Sequence, residues 1–265
     1  MISDPNQPLL LEIEAGVARI RFNRPAALNA IDVVMARAFH DACQRLQREI
    51  SIRVIVLSGE GKAFMAGGDL AGFHADLAAA PDTARAMIEP LHAGLTIMTE
   101  LPQPVVACLH GAVAGAGVSI ALACDLAIAA DNTRIAPAYS RIGASPDAGC
   151  SWALPRIVGL RKAMELLLLA DPLDAAEALR LGLVNRVVPA AALATETEAW
   201  VRRLASGPTL AYGKIKQLLR ASHATQLVQH LSAERAAFLA CAATDDFAEG
   251  MNAFFEKRQA NFRGC

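Results

Sequence analysis

The sequence predicts an α/β fold, in which a β/α core is followed by a helical C-terminal region. Three observations predict it. Short aliphatic runs such as Arg53 to Leu57 and Val105 to Leu109 each lead through a glycine-bearing loop to a helical pattern. From Leu160 onward the apolar spacing reads as helix alone. The composition is that of a large, aliphatic core, 54% hydrophobic but only 5% aromatic over 265 residues.

Taken in order, Leu9 to Glu14 and Val17 to Phe22 alternate apolar and polar residues around Ala15-Gly16, the pattern of a hairpin with one buried face. After Asn23-Arg24-Pro25 a helix is expected. Asn29 serves as its cap, Asp32 lies in its first turn, and Ile31, Val34, Met35, Ala38, Ala42 and Leu46 form its core stripe. Arg53 to Leu57 is a strand closed by Ser58-Gly59-Glu60-Gly61, and it leads to the paired glycines of Phe64-Met65-Ala66-Gly67-Gly68-Asp69. A helical segment from Ala71 to Glu100 precedes the strand Val105 to Leu109, the turn Gly111 to Gly117 and a helix from Val118 to Ala123. Asp125 to Ala130 and Arg134 to Ala138 read as further strands, and Ser145-Pro146-Asp147 as a helix start with proline in first position. Arg161 to Ala170 and Asp174 to Leu181 are helices, the second stopped by Gly182, and more follow to Arg258. The expected organisation is a core over residues 1–200 and a helical oligomerisation region over 201–265.

Charge narrows the partners. With 25 basic and 26 acidic residues, nothing drives binding to a nucleic-acid backbone or an anionic membrane surface. Ala112 to Ala130, the richest apolar stretch, is interrupted by Asp125, so no membrane span is expected. Met1 to Pro8 lacks the basic and apolar regions of a signal peptide. The six cysteines show neither CxxC spacing nor a histidine at ligand spacing, which predicts reduced core residues in a cytoplasmic protein and no metal site.

Two familiar motifs fail. Gly115-Ala-Gly117 follows a strand, but Ile120 stands where a dinucleotide fingerprint has its third glycine. Gly117-Val-Ser119-Ile-Ala121 falls one residue short of a serine-hydrolase elbow and is separated from its strand by a glycine turn. His223 or His230 would have to be its base, and Ser119 reads better as a small core residue. The constructive signal is the pair of glycine-rich loops. Small residues let a backbone approach a ligand closely, and amides at a helix start point outward unpaired. Two such amides can hold one oxyanion, as a thioester carbonyl becoming an enolate requires.

Asn23-Arg-Pro with Leu28-Asn-Ala, Phe64-Met-Ala-Gly-Gly-Asp, and His110-Gly with Gly115-Ala-Gly117 resemble the motifs of the crotonase (enoyl-CoA hydratase/isomerase) family. The resemblance continues through Cys124-Asp125, Pro146-Asp147-Ala-Gly, Ala178 to Val184 and Phe254-Phe255-Glu-Lys257-Arg. It implies a spiral of ββα units with a C-terminal helical region that forms homotrimers or dimers of trimers. It also implies an acyl-CoA substrate, with coenzyme A arriving as part of it and no further cofactor. By position, the amides of Gly68 and Ala116 would form the oxyanion hole. Ala26, Ala27, Leu28 and Ala66 would line the adenine and pantetheine wall, Tyr139 would sit in the substrate site, and Phe254 and Lys257 would approach the CoA of a subunit.

The departures from the family pattern carry as much weight. Hydratases of the family use two glutamates, and Ser119 and Tyr139 occupy the matching positions. Neither can replace a carboxylate in activating water at neutral pH. Asp147 remains. Its position carries aspartate in dienoyl-CoA isomerases, in the ring-epoxide isomerase of phenylacetate breakdown and in chlorobenzoyl-CoA dehalogenase. Trp152-Ala-Leu-Pro155 and Val158-Gly159 look most like the phenylacetate-pathway isomerases. The expected activity is an isomerase that moves a double bond, or rearranges a ring adduct, with Asp147 as the base. The alternatives are a dehalogenase or hydrolase with Asp147 as nucleophile and His92 activating water, a weak hydratase, and a CoA-binding protein without catalysis.

Overall fold

The computed structural model describes residues 7–264. In chain order its elements are β1 (Leu9–Glu14), β2 (Val17–Phe22), α1 (Val33–Arg48), β3 (Val54–Gly59), α2 (Leu70–Ala75), α3 (Ala80–Glu100), β4 (Val105–Leu109), β5 (Ala112–Ala114), α4 (Ala116–Ala123), β6 (Leu126–Ala130) and β7 (Arg134–Ala136). Then come α5 (Cys150–Val158), α6 (Leu160–Leu169), β8 (Leu173–Asp174), α7 (Ala175–Arg180), β9 (Arg186–Val188), α8 (Leu193–Ala205), α9 (Thr209–Ala221), α10 (Leu227–Ala242) and α11 (Asp245–Glu256).

A six-stranded sheet runs β1-β2-β3-β4-β6-β9, antiparallel at the first hairpin and parallel from β2 onward. The hairpin closes where expected, with Ala15 and Gly16 both at positive φ, which suits the twist of the flanking strands. Parallel strands are covered on both faces, and β3 shows it. Its Ile55 and Leu57 pack with Met35 and Phe39 of α1 and Leu91 of α3, while Val54 and Val56 join Val106, Ile128 and Val201 of α8 in a second core. A smaller sheet runs β5-β7-β8. Successive turns of chain visit both sheets: β3 then the bridge from Met65 to Val113, β4 then β5, β6 then β7. This alternation is the spiral of ββα units.

Several sequence expectations need correction. Asn29 does not cap α1; Asp32 does, its carboxylate accepting from Met35 N–H at 2.8 Å. Asn29 is buried at φ 57°, and its amide donates to the carbonyls of Glu60, Ala63 and Phe64. Three carbonyls of a neighbouring loop outbid the helix start for its side chain. The buried face of α1 is Met35, Ala36, Phe39, Ala42, Cys43 and Leu46, so Val34 falls outside the stripe and is exposed. The chain beyond Leu160 is not helix alone, because β8 joins the small sheet and β9 closes the large one. Each is too short to impress a period of two on the sequence. The boundary expected at residue 200 falls inside α8, whose Leu193 and Val201 belong to the second core.

The cysteines among the described residues are free: Cys43 and Cys150 are buried, and Cys108, Cys124 and Cys241 are partly so. Burial pushes the Cys43 thiol up to about 12. Cys265 lies outside the described residues. No helix among them is long and apolar enough to cross a membrane. The helical half leaves much apolar surface uncovered. No residue of α10 is buried, and Leu227, Val228, Leu231, Phe238 and Leu239 are exposed.

Candidate active site

The two glycine-rich loops meet. Met65 bridges to Val113 of β5 in parallel register, with Met65 N–H donating to Ala112 O at 3.1 Å and Ala114 N–H to Met65 O at 2.9 Å. This pairing brings Gly67 (φ 106°) against Gly115 (φ 47°), and a Cβ on Gly115 would touch the Gly67 Cα at 3.4 Å. Gly117 is tighter still, since a Cβ there would lie 2.4 Å from the Met65 carbonyl oxygen. Only glycine permits this seating of α4 on the first loop. The N–H groups of Gly68 and Ala116, one in each loop, donate to no acceptor among the described residues. Phe73 and Met87 stand 3.8 Å from where a Gly68 Cβ would be, so an apolar wall from the Ala71 to Pro90 region flanks that amide.

Arg24 fixes the first loop. Its guanidinium donates to Ala30 O at 2.5 Å and to Asp69 Oδ2 at 2.8 Å, and Asp69 in turn caps α2 by accepting from Gly72 N–H. The bond from Arg24 holds the Asp69 carboxyl below the usual carboxylate range. Asp69 therefore shapes the loop. The Pro25–Ala27 turn ends in Leu28 and Asn29, both at positive φ, and Leu28 O accepts from Ala66 N–H at 3.0 Å. Ala26, Ala27, Leu28 and Ala66 are thus brought together beside the glycine pair, with Leu28 exposed.

Asp147 does not open a helix. Ala148 and Gly149 follow it at φ 49° and 80°, which delays the start of α5 to Cys150. A positive φ at alanine costs about 1–2 kcal/mol, and here His92 holds the turn by accepting from Ala148 N–H through Nε2 at 3.1 Å. The carboxylate heads a short polar chain. Tyr139 Oη donates to Asp147 Oδ1 at 2.5 Å and lies 2.8 Å from Ser119 Oγ, so the residues standing where hydratases carry glutamates are bonded to each other. Burial first, and the Asp147 charge second, push the Tyr139 phenol far above its ordinary range, so it stays protonated. Cys150 lies alongside, its thiol raised to about 11 chiefly by burial.

Ser119 sits in the buried interior of α4, where its hydroxyl bonds Tyr139, and neither His223 nor His230 bonds it among the described residues. A cleft of about 750 Å³ opens beside this chain, lined among others by His92, Leu95, Ser119, Ala148 and Trp152. Gly68, Ala116 and Asp147 are not among its lining residues. Phe254 and Lys257 lie exposed at the end of α11, which packs on α10, and neither bonds the Ala26 to Leu28 turn. Asp125 tethers backbone, accepting from Val105 N–H and pairing with Lys216 and Arg220. Sequence reasoning missed the clasp of His92 on Ala148 and the pairing of Arg24 with Asp69. The second was within reach, because both residues fall in the quoted motifs.

The chain is similar to known proteins along nearly its whole length. The family model described as enoyl-CoA hydratase/isomerase matches residues 12–265. The chain is 34% identical over 257 residues to the 1,2-epoxyphenylacetyl-CoA isomerase of Escherichia coli, covering 97% of this chain and 98% of the relative. It is also 34% identical over 255 residues to the crotonyl-CoA hydratase of Syntrophomonas wolfei, covering 96% and 97%. The crystal structure of an enoyl-CoA hydratase from Polaromonas superposes with a TM-score of 0.91 at 33% identity, over 96% of this chain and 99% of that one. With a family match over nearly its whole length and the same fold, this chain belongs to the enoyl-CoA hydratase/isomerase, or crotonase, family.

Proposed function

We propose that the chain is an acyl-CoA isomerase that moves a double bond, or rearranges a ring adduct, through an enolate. The Gly68 and Ala116 amides receive the thioester oxygen as it gains negative charge. Donors placed in this way typically contribute about 3 kcal/mol each to the lowering of the barrier. The Asp147 carboxylate takes a carbon-bound proton while the C–H electron pair moves into the thioester. It then returns the proton to a different carbon, so nothing is gained or lost overall. Ala26, Ala27, Leu28 and Ala66 form the wall for the CoA moiety. The exposed Phe254 and Lys257 reach toward the CoA of a neighbouring subunit. The uncovered apolar residues of α10 support self-association into a homotrimer or a dimer of trimers.

One observation carries the choice of isomerase over hydratase. Ser119 and Tyr139 bond each other in place of a carboxylate pair, leaving Asp147 as the one carboxylate at the head of the chain. Hydration needs a second acid or base to handle water, and neither hydroxyl supplies it near neutral pH. The hydrolytic alternative needs His92 to deprotonate water, yet its Nε2 lone pair is engaged by Ala148 N–H.

The test is to incubate the protein with a panel of unsaturated and aromatic acyl-CoAs and follow the products by mass. Isomerisation leaves the mass unchanged, hydration adds one water, and hydrolysis releases free CoA. A mass-neutral product is expected, and water addition at a comparable or faster rate would overturn the proposal.

A further inference from the structure

The two oxygens of Asp147 are not equivalent. Oδ1 accepts from Tyr139 Oη at 2.5 Å, whereas Oδ2 has no hydrogen-bond partner among the described residues. The direction of the chain follows from its chemistry. A buried phenol beside a carboxylate keeps its proton and donates it, so its oxygen is left to accept from Ser119. The Ser119 hydroxyl also approaches the Gly115 carbonyl, at 3.5 Å, and the Cys150 thiol. The groups that face the carboxylate from the surrounding elements are Tyr139 from the Ala138–Ile142 turn, Ser119 from α4, Cys150 from α5, and His92 from α3 beside Ala148. No lysine or arginine pairs with it among the described residues.

We propose that Tyr139, backed by Ser119, is a positioning residue that commits Oδ1 of Asp147 and leaves Oδ2 as the oxygen that takes and returns the substrate proton. This deepens the isomerase reading and rests on it. The carbon-bound proton passes to Oδ2 as the C–H pair enters the thioester, Oδ1 keeps its bond to Tyr139 throughout, and the same proton leaves Oδ2 for the new carbon. Removing the donor on Oδ1 frees the carboxyl to turn, which misdirects Oδ2.

The test uses Tyr139→Phe, which keeps the buried ring, with Ser119→Ala as the milder second variant. Two measurements are made on the intact protein: the kcat and KM of solvent deuterium exchange into 3-hexenoyl-CoA, and the binding affinity for the same ester. In Tyr139→Phe the kcat should fall about tenfold while KM and affinity stay close to the wild-type values, because the carboxyl is misdirected and the binding surface is intact. Ser119→Ala should lower kcat by less. A folded Tyr139→Phe protein with wild-type kcat would overturn the inference. If Asp147→Asn exchanges at the wild-type rate, the base assignment itself fails. If Asp147→Asn is inactive while Tyr139→Phe exchanges like wild type, only the positioning role fails.

Discussion

Gly117→Ala should damage catalysis more than stability, because the added methyl group lands on the joint between the two glycine-rich loops. Its Cβ would lie 2.4 Å from the Met65 carbonyl oxygen and 3.0 Å from the Met65 Cβ. An ordinary carbon-to-oxygen contact needs about 3.3 Å, so α4 and the Met65 segment must separate by about 0.9 Å. Neither side can yield by a simple rotamer change, since the obstacle is backbone that already bonds Ala112 and Ala114 of β5. Overpacking of this kind costs about 1–3 kcal/mol. The catalytic cost is steeper, because Ala116 precedes the displaced residue and its amide would miss the developing oxyanion by most of an ångström. About a hundredfold loss in kcat is expected. The assay is deuterium exchange on an acyl-CoA that the wild type turns over, alongside thermal melting. Gly72→Ala is the control, since the nearest atom to its Cβ is Asp69 Cγ at 3.8 Å and its amide bond to Asp69 survives. A folded Gly117→Ala protein with wild-type kcat would refute the convergence of the two amides on one oxygen.

Two further outcomes follow from the same structure. Arg24→Met should lower the melting temperature in a pH-dependent way. The bond to Arg24 depresses the Asp69 carboxyl, so its stabilisation is fully present above about pH 4 and is lost as pH falls through the lowered folded value. The gap in melting temperature between wild type and variant should therefore narrow from pH 7 to pH 3, and a constant gap would contradict this. Replacing Leu231 and Phe238 on the uncovered α10 by glutamate should break the proposed trimer into monomers in sedimentation velocity. A wild-type protein that sediments as a monomer at micromolar concentration would contradict the assembly altogether.

The sequence was most legible where one physical rule acts alone. The β1–β2 hairpin was readable because a half-buried ribbon imposes strict alternation and Ala15-Gly16 can take positive φ. The two glycine-rich loops were readable as places of close backbone approach, because a Cβ at Gly117 or Gly115 would meet the opposite loop. Legibility failed where tertiary partners outcompete a local preference. Asn29 looks like a cap, but three carbonyls of the Glu60 to Phe64 loop claim its amide. Ser145-Pro146-Asp147 looks like a helix start, but the positive φ of Ala148, held through His92, delays α5 to Cys150. The chain from Ser119 through Tyr139 to Asp147 joins three residues spread over 28 positions on α4, a short turn and a loop, and no spacing rule connects them. The resemblance to a family marked Ser119 and Tyr139 as departures from two glutamates and Asp147 as the remaining carboxylate, and the fold supplied the bonds between them.

The account rests most on Asp147 as the base. Asp147→Asn preserves size and one hydrogen-bonding oxygen for Tyr139 while removing the proton acceptor. Loss of a general base typically lowers a rate by about a hundredfold to ten-thousandfold. The decisive measurement is solvent deuterium incorporation at the γ-carbon of a 2-enoyl-CoA, made together with the affinity of the variant for the same ester. Exchange should be lost by at least about a hundredfold with binding nearly unchanged; exchange persisting at close to the wild-type rate would contradict Asp147 as the base.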